Sequence, residues 1–146
     1  MAAGRKLEVK VKVPATSANL GPGFDAIGLA LQIYNELTLS VAEGSRSEVY
    51  IEGEGADSLP RDESHLSLRA AAALFKAAGL EPPPWKLRQF NRIPAGSGLG
   101  SSSAAIVGGM LAANAFLPRP LSREQILELA VEMEGHPDNV APALYG

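Results

Sequence analysis

The feature that most constrains this chain is the run Gly96-Ser97-Gly98-Leu99-Gly100-Ser101-Ser102-Ser103, set between a strand-like segment and an alanine-rich helix. Glycines at alternate positions free the backbone for positive φ and for close approach to a ligand. Consecutive amide groups can then converge on an anion. The helix that follows adds a partial positive charge of about half a unit at its first turn. Serines supply hydroxyls and capping oxygens. A polyphosphate is the natural guest of such a loop; the plainer alternative is a serine-capped helix after a glycine-rich turn. The run has no lysine, which excludes the Walker pattern. Ser101 stands where a dinucleotide fingerprint needs its third glycine, and no acidic residue follows in a strand about 20 residues on.

The surrounding pattern predicts what carries this loop. Glu8, Lys10 and Lys12 alternate with Val9, Val11 and Val13, a half-exposed strand that Pro14 is expected to end. Residues 33–41 and 48–51 read as two more strands, with a turn at Gly44-Ser45. Residues 62–78 read as a helix, with Leu66, Ala70, Leu74 and Ala77 at helical spacing and Gly79 as its stop. Pro82, Pro83 and Pro84 bar continuation, and residues 85–92 read as a strand. A helix is expected from the serines to about Phe116. Another opens on the capping box Ser122-Arg123-Glu124-Gln125, presents Ile126, Leu129, Ala130 and Met133, and ends near Gly135. Residues 136–146 read as loop or short extended chain. This order predicts one α+β domain over residues 1–146, with helices on one face of a mostly antiparallel sheet.

Composition narrows the function classes. With 46% apolar and 20% charged residues, the chain can form a core, which excludes disorder over most of its length. The net charge of −3, without a basic stripe, argues against nucleic acid as a partner. No run of about 18 apolar residues suggests a membrane span, and residues 1–6 lack an apolar signal core. The absence of cysteine removes disulfides and cysteine-based zinc sites and fits a reducing cytoplasm.

Three segments carry a resemblance. The stretch from Pro94 and Ala95 through the glycine-serine run to Ala104 and Ala105 resembles the ATP-binding motif of the GHMP kinases, named after galactokinase, homoserine kinase, mevalonate kinase and phosphomevalonate kinase. Residues 13–25 (Val-Pro-Ala-Thr-Ser-Ala-Asn-Leu-Gly-Pro-Gly-Phe-Asp) are similar to the N-terminal signature of homoserine kinases. Residues 134–146 (Glu-Gly-His-Pro-Asp-Asn-Val-Ala-Pro-Ala-Leu-Tyr-Gly) are similar to a later segment of the same enzymes. The resemblance implies a GHMP kinase N-terminal domain, with a second, ferredoxin-like domain beyond Gly146, so that this chain would be a piece of a two-domain enzyme. It implies transfer of the ATP γ-phosphoryl group to the side-chain hydroxyl of L-homoserine in threonine biosynthesis, with Mg²⁺. Cytoplasmic location and a homodimer are implied for the full-length enzyme. A kinase for another small alcohol such as mevalonate, and a non-catalytic nucleotide-binding module, are the rival readings.

The resemblance also assigns roles. Pro94, Ala95, Gly96, Ser97, Gly98, Leu99, Gly100, Ser101, Ser102, Ser103 and Ala104 would wrap the nucleotide. Ser102 and Glu134 would hold Mg²⁺, with Glu132 a rival to Glu134. A carboxylate near a helix C-terminus opposes the helix dipole, and such a misfit points to function. Asn19, Asp25, His136 and Asn139 would hold the amino-acid substrate. Asp25 can pair an ammonium group, and Asn19 can donate to and accept from a hydroxyl. Their local alternatives are a turn asparagine and a helix-capping aspartate. Asp138 is the candidate base, although phosphoryl transfer relies on positioning and charge stabilisation more than on proton removal. Thr16 and Ser17 are expected to bond the loop backbone or a ligand, and Tyr34 and Trp85 to pack. His65 stands where the family usually carries asparagine, in a stretch near the adenine side.

Overall fold

A computed structural model describes residues 7–17, 29–94 and 98–146. Its elements are β1 (Glu8–Ser17), β2 (Leu29–Val41), β3 (Glu48–Gly53), α1 (Leu66–Ala77), β4 (Trp85–Asn91), α2 (Ser101–Asn114), α3 (Arg123–Glu134) and α4 (Val140–Tyr145). Among the described residues the strands form one sheet in the order β1-β2-β4-β3. β2 runs antiparallel to both β1 and β4, while β3 runs parallel to β4. The fold is therefore α+β with a mostly antiparallel sheet, as the order of segments predicts.

Alternation sorts each strand onto two faces. Val13, Leu37, Leu39, Val49, Ile51, Trp85 and Leu87 are buried and face the helices. The other face carries Lys10, Glu36, Tyr50, Arg88 and Phe90, and its charges pair across strands. Glu36 accepts from Arg92 at 2.9 Å, and Lys10 lies 3.8 Å from it. Trp85 closes one end of the core, edge-on to Phe75 and Phe116 at centroid distances of 5.4 and 5.1 Å. Each such pair contributes about 0.5–1.5 kcal/mol beyond its buried area.

Four local expectations need correction. Pro14 does not end β1. The strand continues to Ser17 through a register shift between Pro14 and Thr16. β1 lies at the sheet edge, where a missing N–H is tolerated and a bulge can absorb the irregularity. The bend around Gly44-Ser45 does not make a hairpin, because β4 occupies the edge of β2 and β3 joins β4 in parallel. Parallel neighbours need a crossover, and α1 supplies it. α1 begins at Leu66 rather than near Asp62, because the Asp62 carboxylate accepts from the amide and hydroxyl of Ser64, at 2.9 and 2.5 Å, and holds a turn there. Finally, residues 140–145 are helical. Val140, Ala143 and Leu144 recur at helical spacing and are all buried.

α2 is the centre of the molecule. It packs against the sheet, α1, α3 and α4. Between its first-turn serines and Asn114 its residues are apolar all round, as a largely enclosed helix requires. Two adjacent glycines permit its close seating. A Cβ at Gly108 would stand 2.8 Å from Leu37 Cδ1 and 3.1 Å from Val13 Cγ2, while one at Gly109 would overlap the carbonyl oxygen of Ser67 in α1. Gly109→Ala should therefore lower unfolding stability by about 3 kcal/mol in urea denaturation, as backbone cannot yield the way a side chain does. A loss under about 0.5 kcal/mol, the range of an innocuous surface change, would show that the α1–α2 contact is looser than described.

Candidate functional site

The N-terminus of α2 sets the site. Gly100 caps the helix with φ 75°, a left-handed conformation that suits glycine. It brings no side chain to cap the first-turn amides. The helix thus presents uncapped donors at its positive end, the arrangement that attracts an anion. Gly100 is also hemmed in, because a Cβ there would collide with Thr16 Oγ1 and lie 3.5 Å from Asn139 Cβ and Cγ. Thr16 is fully buried, takes the Leu99 carbonyl with its amide at 2.9 Å, and donates its hydroxyl to Asn139 Oδ1 at 2.7 Å. The end of β1, the loop and the turn before α4 therefore meet around one glycine.

Glu134, the last residue of α3, reaches the same helix end. Ser102 Oγ donates to its two carboxylate oxygens at 2.9 and 3.2 Å, and Ser103 Oγ donates to the nearer oxygen. A carboxylate that opposes the dipole of its own helix is here stabilised by two hydroxyls and by the positive end of α2. No group of three or more His, Cys, Asp or Glu able to hold a metal occurs among the described residues. A hydroxyl and a carboxylate converging on one side nevertheless suit Mg²⁺, which binds few protein oxygens and completes its shell with phosphate and water. Ser102 is exposed, whereas Ser103 is buried.

A cavity of 340 Å³ opens beside Ser101 and Ser102, within the size range of small-molecule sites. Leu59, Pro60, Leu66 and Ile93 give it apolar walls. Asn35, His65, Gln89 and Asn91 also line it, and all four are buried. His65 caps α1 with Nδ1, which accepts from Ser67 N at 3.1 Å, and its Nε2 faces Gln89 Oε1 at 3.0 Å. Burial outweighs the Gln89 bond and lowers the pKa of His65 below its ordinary value. Asn35 accepts the amides of Arg92 and Ile93 with Oδ1 at 2.8 and 2.9 Å, fixing the chain as it leaves β4 for the loop.

The structure brings together Ser102, Ser103, Glu134, Gly100 and Leu99, and it places Asn139 against Thr16. Glu132 has no described bond to the serines. His136 is exposed in the turn between α3 and α4, and Asp138 is half-buried there. Pro94 and Gly98 flank the loop, and Ala104 is buried in α2. Asn19, Asp25, Ala95, Gly96 and Ser97 lie outside the described residues. The sequence reading missed Asn35, Gln89 and Asn91. The signal was present, since the inward positions of β4 run Trp85, Leu87, Gln89, Asn91, with polar residues where alternation asks for apolar ones.

These features suit a domain that binds an anion at a helix end, and similarity to known proteins gives its family. Residues 65–146 match the GHMP kinases N terminal domain, and the chain belongs to that family. It is 52% identical over 138 residues to a homoserine kinase of Carboxydothermus hydrogenoformans, covering 94% of this chain and 45% of that protein. A homoserine kinase of Clavibacter michiganensis is 51% identical over 148 residues, covering 100% of this chain and 46% of the relative. The chain thus spans about half the length of the curated relatives it matches. The crystal structure of a homoserine kinase from Cytophaga hutchinsonii superposes with TM-score 0.82 at 32% identity, over 95% of this chain and 46% of that one. A mevalonate kinase from Methanococcus jannaschii shares the fold at TM-score 0.77 with 16% identity. No helix among the described residues is long and apolar enough to cross a membrane.

The lowered pKa of His65 yields a pH dependence. The folded chain binds a proton at His65 less readily than the unfolded chain does, so acid favours unfolding. The stabilisation is whole above the ordinary value of 6.5 and is lost as pH falls below it. His65→Asn, which keeps a capping side chain, should flatten the decline in stability between about pH 7 and about pH 5. Parallel curves for the two proteins in urea titrations would rule out His65 as the source.

Proposed function

We propose that this chain is the nucleotide-binding half of a kinase that transfers the γ-phosphoryl group of ATP to the side-chain hydroxyl of L-homoserine. The observation that carries the reading is the uncapped N-terminus of α2, with Ser102 and Glu134 paired beside it and a cavity alongside. The amides of the first turn would hold the phosphates, and the cavity would take the base. Ser102 and Glu134 would hold Mg²⁺, which when bound neutralises phosphate charge as it is redistributed in transfer. The Ser102–Glu134 hydrogen bonds keep both oxygens at one point before the cation arrives. Such preorganisation lowers the cost of binding.

The acceptor assignment rests on relatives at about half identity that are homoserine kinases, together with the segments 13–25 and 134–146. On this reading Asn19, Asp25, His136 and Asn139 contact homoserine. Asn139 is steered by Thr16, whose hydroxyl occupies its Oδ1. Asp138, half-buried in the same turn, is the one carboxylate offered as a base. Catalysis would rest chiefly on alignment and charge stabilisation, for which a base is not required. The full enzyme would act in the cytoplasm, and its partners would be ATP and homoserine, with a second copy of itself in a homodimer.

Two measurements test this. In calorimetric titrations the chain should bind ATP with Mg²⁺, and Glu134→Gln should weaken Mg²⁺-dependent binding by about tenfold or more, while Glu132→Gln leaves it within about twofold. Equal losses for both variants would remove Glu134 from the metal site. A protein carrying this chain with the second half found in its relatives should release ADP with homoserine and not with mevalonate or shikimate. Turnover of mevalonate alone would overturn the acceptor assignment.

A further inference from the structure

Asn139 stands where a helix-capping side chain belongs, immediately before α4, yet it does not cap. Asparagine is favoured at such a position because its oxygen accepts from the second or third amide of the helix. Here neither amide is on offer. Pro142, the third residue, has no N–H, and Ala141, the second, already gives its N–H to the Pro137 carbonyl at 3.0 Å. The carboxamide therefore has no capping role to fill. Its oxygen accepts instead from Thr16, 123 positions away in sequence.

Thr16 is placed to make this bond. It is fully buried, and its amide donates to the Leu99 carbonyl at 2.9 Å, which ties its backbone to the glycine-serine loop. Its Oγ1 lies against Gly100, where a Cβ would overlap it. A buried hydroxyl hydrogen needs an acceptor, and among the described residues Asn139 Oδ1, at 2.7 Å, is the one bonded to it. Turning the amide round would set Nδ2 against Oγ1 and leave that hydrogen without an acceptor. The bond thus decides which end of the carboxamide is engaged. Oδ1 is taken, and Nδ2, with no partner among the described residues, keeps its N–H groups for a ligand. Asn139 is half-buried, open enough to meet one.

We infer that Thr16 is a positioning residue for the acceptor: its buried hydroxyl holds Asn139 so that the carboxamide offers N–H, and not oxygen, to an oxygen atom of the molecule that receives the phosphoryl group. The inference rests on the reading of Asn139 as an acceptor contact given above. It adds the residue that sets what Asn139 can offer. Thr16 holds the loop through its amide and Asn139 through its hydroxyl, so the two effects are separable. Valine at position 16 would keep the amide and the branched shape and remove only the hydroxyl.

The test uses the longer protein, this chain with the second half found in its relatives, and steady-state kinetics with homoserine and ATP varied in turn. Thr16→Val should lower kcat/KM for homoserine about tenfold, the loss expected for one misdirected hydrogen bond, and leave KM for ATP within about twofold. Thr16→Ser, which restores the hydroxyl, should recover kcat/KM to within about threefold of the unaltered protein. Asn139→Asp still accepts from Thr16 but has no N–H to offer, and should fall at least as far as Thr16→Val. If Thr16→Val does not fold, Thr16→Cys, whose thiol is a weak donor, decides by the same split. An unchanged kcat/KM for homoserine in the variant without the hydroxyl would overturn the inference. Equal rises in both KM values would do so as well, since the bond would then only tie β1 to α4. So would full activity in Asn139→Asp. Each of these results leaves the kinase reading standing. Failure of the unaltered protein to phosphorylate homoserine would sink both.

Discussion

The enclosure of α2 is the constraint on which the rest of the structure depends. A helix apolar on every side has to be covered on every side. Here the sheet, α1, α3 and α4 all bear on it. Gly108 lets the side chains of Leu37 and Val13 press onto it, and Gly109 admits the backbone of α1. Once the body of the helix is fixed so tightly, its N-terminus has a fixed position too. The uncapped amides of the first turn therefore stand in place before any ligand is present. A loop alone could not hold them so, because ordering it on binding would cost conformational entropy.

The same enclosure explains why distant segments share one site. Glu134 ends α3, and α3 packs on α2, so the carboxylate arrives at Ser102 and Ser103 through helix packing. Asn139 precedes α4, which also packs on α2, and is bonded by Thr16 near the end of β1. Gly100 is where these three approaches meet, and any side chain there would push Thr16 aside. Affinity for anions and burial of the core are thus two consequences of one arrangement.

Much of this was legible in the sequence, for identifiable reasons. The strand of alternating Val and Lys and the capping box at Ser122 are local signals that the structure follows, and α2 begins at Ser101 as the serines after the glycines predict. Glu134 was legible as a misfit, a carboxylate at the wrong end of its helix. The parallel placement of β3 was not, because it pairs with β4 across the whole of α1, and no local residue records such a long-range choice. The bulge after Pro14 likewise depends on β1 lying at an edge. The helix at residues 140–145 is shorter than two turns, too brief for periodicity to separate it from extended chain.

The polar residues on the inner face of β4 show how one violated pattern carries information. Alternation alone would make positions 89 and 91 apolar, and buried amides there would be destabilising if unpaired. Gln89 is paired at both ends of its amide, so its presence is compatible with simple structural satisfaction. Asn91 is paired at one end only. A relay built merely to fill the core could have ended in an apolar residue at position 91, with Gln89 still bonded to His65 and Ser67. The relay instead extends through Asn91 to the Glu54 carbonyl just past β3, so one polar chain ties the edge strand to the residue that caps α1.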